Sequence, residues 1–390
     1  MNKTIIIVYL IMLVSILTGC TKTKKNADFD AIIAYGSMGY TTSYSDLGVF
    51  ENERGILYYF DPVTGISTPL CSKVNCRHEG YSSTNPHPTC DAFFAEWYNC
   101  SAIVGERLYY VAGEEGNELF VKDFYRADKD GTNRKLLYRA ENTEIFTLGT
   151  YEGNYFIYLY YNQEDQNGIP LEKIRLGMIL LDLETEEIKD VDFGDTYGGR
   201  LLAATVKDDK IYIYMSYFTE DISKIDFAGL SALEREDYNA SFLKEEIWEY
   251  SIKTGEKRKY CEIPSDSTSC ILAYGHMFIS YDNRMTMQEL GNDTVYEITG
   301  VSGEGYSKCL FDSGVLFSGN GKVLLWENGT RELKEIGTYD PENRIYLTWV
   351  TPHWVYGNIF GTAGNDPVCF SREKFMNGNF NYKIMDIMTD

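Results

Sequence analysis

A Tyr-rich strand unit that recurs along the chain, an Asp-Gly hairpin turn inside it, and an aromatic content weighted to Tyr and Phe predict an all-β fold. The fold expected is a β-propeller of about seven four-stranded blades, with a Cys-rich loop insertion and one partly helical insertion. The 32 tyrosines and 20 phenylalanines suit strands, where rings pack on a pleated surface. Some 360 residues beyond the N-terminal segment are too many for one ordinary compact core, but suit a closed array of small sheets.

The clearest unit runs from Val104 through Leu108-Tyr109-Tyr110-Val111, then Phe124-Tyr125-Arg126-Ala127-Asp128, the turn Asp130-Gly131, and Leu136-Leu137-Tyr138. An Asp-Gly pair between apolar runs marks a hairpin. Other copies start at Gly55, Asn154, Lys210, Gly275, Ser313 and Trp354, which gives a spacing of about 40 to 60 residues. Two pairings follow: Asn154–Leu159 with Met178–Asp182, and Lys210–Tyr214 with Ile247–Ser251. Ala31–Tyr35 is expected to supply the strand that closes the last blade. Asp221–Glu246, rich in charge with scattered Ile, Leu and Phe, breaks the strand rhythm and reads as a partly helical hairpin insertion. The Tyr-Arg-x-Asp-x-Asp-Gly-x-Asn turn resembles the repeats of TolB-like and YWTD-like (lipoprotein-receptor-type) propellers, a resemblance that implies a fold and no activity.

Between Cys71 and Cys90 the sequence reads Leu-Cys-Ser-Lys-Val-Asn-Cys-Arg-His and, farther on, Cys-Asp-Ala-Phe-Phe. Cys71, Cys76, His78 and Cys90 supply three thiols and one imidazole, a donor set for a tetrahedral structural zinc. In extended chain Cys76 and His78 would point to one side. The spacing is not that of a zinc finger, and disulfides among Cys71, Cys76, Cys90 and Cys100 are an equal alternative. The segment resembles a Cys-rich insert of propeller lipoproteins of Gram-positive anaerobes, which brings no activity with it. Cys261, Cys270, Cys309 and Cys369 stand singly in strand-like contexts and read as small buried hydrophobes.

The N-terminus carries Lys3 and an apolar run from Ile5 to Leu17, short for a membrane span. It leads into Leu17-Thr18-Gly19-Cys20, which looks like a bacterial lipobox. That resemblance implies a signal peptide over 1–19, a diacylglyceryl group on Cys20, a tether over 20–29 and an extracytoplasmic location anchored to the membrane, which leaves 30–390 for the propeller that the repeat predicts. A net charge of -22 excludes nucleic acid as a partner. No Gly-x-Ser-x-Gly elbow is present, and none of the four histidines adjoins a nucleophile in sequence. The expected function is therefore non-enzymatic binding of a protein, peptide or glycan. A hydrolase or lyase with carboxylates on the propeller's central face is the alternative.

Overall fold

A computed structural model describes residues 32–33, 42–44, 46, 48–53, 55–80, 82–86, 88–94, 97–104, 107–112, 123–139, 144–152, 154–164, 170–224, 231, 238, 240–282, 284–301, 306–330, 332–361 and 364–385. Cys20 and the rest of the N-terminal segment expected to carry the anchor lie outside them. Among the described residues no helix is long and apolar enough to cross a membrane.

The chain is all-β and forms six antiparallel sheets in sequence order. The first blade holds β1 (Ile32–Ile33), β2 (Thr42–Tyr44), β3 (Val49–Glu53), β4 (Ile56–Asp61) and β5 (Ile66–Pro69). The second holds β6 (Trp97–Val104), β7 (Arg107–Ala112), β8 (Asp123–Asp128) and β9 (Lys135–Tyr138). The third has seven strands: β10 (Glu144–Glu152), β11 (Tyr155–Glu164), β12 (Pro170–Asp182), β13 (Ile188–Lys207), β14 (Lys210–Phe218), β15 (Leu243–Ser251) and β16 (Lys257–Glu262). The fourth holds β17 (Ser269–Ala273), β18 (His276–Ser280), β19 (Arg284–Glu289) and β20 (Val295–Thr299). The fifth holds β21 (Ser307–Phe311), β22 (Gly314–Gly319), β23 (Lys322–Glu327) and β24 (Leu333–Thr338). The sixth holds β25 (Arg344–Val350), β26 (Trp354–Gly361), β27 (Gly364–Ser371) and β28 (Tyr382–Ile384), with the short helix α1 (Arg372–Met376) before its last strand.

Six blades replace the expected seven because of β13. Its first half, Ile188–Thr196, pairs with β12, and its second half, Tyr197–Lys207, pairs with β14. One 20-residue strand thus serves as the last strand of one four-strand set and the first of the next. Both predicted pairings hold: Phe156 lies opposite Leu181, and Ile211 opposite Tyr250.

The inner strands of the blades bury both faces, whereas outer strands such as β5 and β28 do not, which is why Tyr and Phe recur on the inner strands without a polar alternate. Tyr109 faces Phe156 and Tyr158 of the third blade, while its neighbour Tyr110 faces Phe50 and Phe94 on the other side. Ile211 and Ile213 pack inward within the third blade, and Tyr212 packs against Leu272 of the fourth. Equivalent clusters join the fourth blade to the fifth and the fifth to the sixth. Trp349 and Tyr356 of the sixth then meet Val49 and Phe60 of the first, which closes the ring. Cys270, Cys309 and Cys369 are buried in these clusters, as expected for small apolar fillers.

Closure differs from expectation in one respect. Within the Ala31–Tyr35 segment, β1 pairs with β2 of the first blade and does not join the last, whose four strands all come from the C-terminal end. Side chains lock the seam instead. The Lys383 ammonium donates to the carbonyl oxygens of Pro62 (2.8 Å) and Val63 (2.6 Å). The His353 backbone N–H donates to Asp46 (2.7 Å), and its Nδ1 lies 2.5 Å from the same carboxylate. Half of the Asp221–Glu246 insertion lies outside the described residues. Its described parts are a 3-10 turn at Ile222–Lys224 and helical residues just before β15, which itself begins at Leu243.

A clasp between the second and third blades explains the Arg of the repeat turn. Glu186 sits at φ 58° in the β12–β13 turn and accepts from Arg126, from Arg107 at 2.7 Å and from Lys135 at 3.2 Å. Burial opposes its ionisation, but the bonds from Lys135 and Arg126 outweigh burial and hold its pKa below the ordinary glutamate value. A depressed carboxylate pKa adds stability above the unfolded-state value, and that stability is lost as pH falls through the folded-state value. Glu186→Gln is thus expected to cost about 1–2 kcal/mol at neutral pH, with the cost fading at a pH well below the ordinary glutamate value. Urea unfolding of both proteins at the two pH values checks this; an equal cost at both would refute the charge-based account.

Candidate metal centre

The loop between β5 and β6 carries the four candidate ligands. Pro69 ends β5, and the Cys71 N–H turns back onto the Pro69 carbonyl (2.8 Å). A second turn follows, with Asn75 at φ 60° and His78 at φ 54°. These left-handed residues, not an extended strand, bring Cys76 and His78 round to the same point. The loop returns at Thr89–Phe94 alongside β4. The Leu57 N–H donates to Ala92 O (2.8 Å), and the Phe94 N–H donates to Gly55 O (2.7 Å).

The sulfurs of Cys71, Cys76 and Cys90 and a His78 ring nitrogen all lie within 4.8 Å of one another. His78 Nδ1 is 3.5 Å from Cys90 Sγ. Ligands about 2.3 Å from a tetrahedral zinc stand about 3.8 Å apart, so the set can hold such an ion after a contraction of under about 1 Å. All three thiols are free, with no disulfide among them. The Cys100 thiol lies outside the described side chains.

Electrostatics around the cluster favour a mixed set. Cys90 is buried against Ile56 and Ala92, and burial pushes its thiol up to about 12. Burial also opposes ionisation of Cys71. Hydrogen bonds from the Lys73 and Asp91 backbone N–H groups and from the neighbouring thiols outweigh it, and hold Cys71 below the ordinary thiol value. A bound cation would draw all three into the thiolate form, because a metal competes with protons for sulfur.

The cluster also ties two blades together. Lys73 Nζ reaches Asp91 Oδ1 (2.7 Å) and Thr89 O (2.5 Å). From the second blade, Arg134 donates to Asp91 O, lies 4.0 Å from the Phe94 ring centroid, and donates to Gly131 O at 2.9 Å. A Cβ at Gly131 would stand 2.6 Å from Asp91 O, so this turn accepts only Gly. The hairpin glycine of the repeat is therefore also the docking point of the loop. Lys73, Asp91 and Arg134 escaped sequence reasoning, although the Gly131 turn was the signal that pointed to them.

Among the described residues this is the one convergent group of three or more His, Cys, Asp or Glu side chains. His276, in the fourth blade, is half-buried, and its Nδ1 stands 2.7 Å from Tyr274 O. Burial holds it below the usual imidazole value.

No family model and no curated protein matches the chain. Among solved structures, the chain is similar to the β-propeller domain of the Trilobed protease from Pyrococcus furiosus. Identity is 12% and TM-score 0.50, over 94% of this chain and 96% of that one. An oligogalacturonate lyase from Vibrio parahaemolyticus follows at 13% identity and TM-score 0.48, over 91% and 84%. A prolyl endopeptidase matches at 11% and 0.49, over 74% of this chain and 43% of that one. This chain thus spans less than half of the prolyl endopeptidase. At 12% identity the likeness to the Pyrococcus furiosus domain shows the propeller fold and nothing finer.

Proposed function

We propose that the chain is a membrane-anchored extracytoplasmic lipoprotein whose propeller binds a glycan, peptide or protein without turning it over. In this reading Cys71, Cys76, His78 and Cys90 hold a structural zinc. One observation carries the zinc: three thiols and one imidazole converge as a closed Cys3His cluster. Four protein ligands fill a tetrahedral zinc and leave no position for water or substrate. Soft sulfur donors also favour zinc over calcium or magnesium. The Tyr-Arg-x-Asp turn supports placing the ring with the TolB-like and YWTD-like propellers.

The anchor rests on Cys20. Cys20→Ser is expected to abolish incorporation of labelled fatty acid and to move the protein from the membrane fraction to the soluble fraction. One thioether to a diacylglyceryl group is the whole covalent tether in this reading, so the loss should be complete. Undiminished labelling in the variant would sink the lipoprotein assignment. The binding reading is tested by presenting the full-length protein in detergent to a glycan and peptide panel, with product analysis on every hit. Saturable binding with the ligand recovered intact is expected. Cleavage of the ligand would establish the hydrolase or lyase reading instead.

A further inference from the structure

A cleft of about 660 Å³ opens between the fifth and sixth blades. Its walls are the β22–β23 turn at Asn320-Gly321, the β24–β25 connector from Tyr339, the start of β25 and the end of β26. The volume lies within the range of small-ligand sites.

We propose that this cleft binds an acidic saccharide, with the sugar carboxylate on Arg344 and a sugar ring face against Tyr346 and Phe360; the proposal rests on the binding reading above. Arg344 and Tyr346 stand two residues apart on β25, and Phe360 is the cross-strand partner of Arg344 on β26, so all three share one face of the hairpin. The intervening Ile345 is buried. Tyr346 and Phe360 are 50% and 43% exposed, in a ring where most aromatics of this size are covered. Their rings stand 6.3 Å apart at 88°, a corner of two apolar faces open to solvent.

Charge decides the ligand class. The chain holds 58 acidic residues and a net charge of -22, yet no carboxylate lines the cleft among the described residues. Arg344 makes no ion pair among the described residues. The nearest acids in sequence do not line the cleft; Asp340 accepts the Glu342 N–H at 3.0 Å in its own turn. An unpaired guanidinium beside exposed rings suits a carboxylate on a flat, partly apolar ligand. Tyr306, Asn320 and Tyr339 add hydroxyl and amide groups at the walls, the partners that sugar hydroxyls require. The floor is already fixed: the Ser318 hydroxyl donates to Ile345 O at 2.7 Å and lies 3.2 Å from the Tyr339 hydroxyl. Gly321 sits at φ +74°, and a Cβ there would stand 3.0 Å from Pro341, so the wall keeps its shape without a side chain.

The test is calorimetric titration of the full-length protein in detergent with three probes. These are glucuronate-containing and galacturonate-containing tetrasaccharides, their carboxyl-reduced neutral counterparts, and a tripeptide with a free C-terminal carboxylate. Saturable binding of at least one uronate is expected, weakened about tenfold or more by carboxyl reduction and by Arg344→Gln. Phe360→Ala should weaken it as well, with the melting temperature of both variants near that of the parent. The proposal is overturned if neither uronate binds, if the neutral sugar binds equally, if Arg344→Gln has no effect, or if the tripeptide binds more tightly. A panel ligand that binds unaffected by Arg344→Gln would leave the binding function standing and place its site elsewhere. Absence of any ligand in both experiments would remove both readings.

Discussion

Purified under reducing conditions, the protein is expected to carry one zinc per chain, and Cys90→Ser is expected to lose it. The expectation follows from the convergence of Cys71, Cys76, His78 and Cys90 within 4.8 Å and from the burial of Cys90. Metal that binds the folded state alone stabilises it by mass action, about 4 kcal/mol when free zinc is a thousand times its Kd. Chelation should lower the melting temperature by several degrees, and restored zinc should recover it. Cys90→Ser should copy the chelated protein and stop responding to zinc. Lys73→Ala is the control. It removes the contacts to Asp91 and Thr89 without removing a ligand, so its zinc content should be unchanged. Metal analysis and an intact mass without reductant decide the matter. A metal-free protein whose mass shows oxidised cysteines would establish the disulfide reading and end the zinc assignment.

The ligand set was legible in sequence because four donors fall within 20 residues, and thiols and imidazole are rare in this chain. The way they converge was not. An extended Cys76-Arg77-His78 puts the two donors on one side by pleat alone. The chain instead uses left-handed backbone at Asn75 and His78, a conformation that no spacing rule requires of a histidine.

The fold was legible through its period, since a Tyr-rich strand and a polar turn, clearest at Leu108–Val111 and Asp130-Gly131, recur in weaker form along the chain. The blade count was not. Gly194, Gly198 and Gly199 in β13 carry the turn signal that should separate two blades. Gly194 and Gly198 do adopt positive φ (92° and 56°), but the register shift at Tyr197/Arg200 absorbs the bend as a bulge, and the strand runs on. The first half stays paired with β12 and the second with β14, so the strand continues through the local signal. The closing strand failed for a related reason. An apolar pentapeptide fits any open sheet edge, and only the ring's geometry chooses the first blade over the last.

A ring closed by packing, with no strand exchanged across its seam among the described residues, depends on every interface between blades. The largest side chain among those fully buried is Trp326, on β23. It lies where the fourth blade meets the fifth, with Phe278, Met285 and Ile298 in the same cluster and Tyr296 edge-on at 6.2 Å. Trp326→Ala removes that packing and leaves a cavity, so a loss of about 3–5 kcal/mol is expected, the largest of any single core change here. Such a loss is about a fifth or more of a typical domain's total stability of about 5–15 kcal/mol. Trp326→Phe should behave differently. The indole Nε1 is buried and meets no acceptor among the described residues. Replacing it with Phe removes a donor whose burial costs about 1–3 kcal/mol, which offsets much of the lost contact. A net change under about 1.5 kcal/mol is therefore expected for Trp326→Phe. Urea unfolding followed by far-UV circular dichroism separates the two. Equal losses from Ala and Phe would show that the indole nitrogen finds a partner and that packing volume is not the deciding quantity at this interface. Saccharide binding at the Arg344 cleft serves as the companion readout. That cleft lies one interface farther round the ring, so Trp326→Phe should leave it unchanged, whereas Trp326→Ala should weaken it only as far as the ring itself opens.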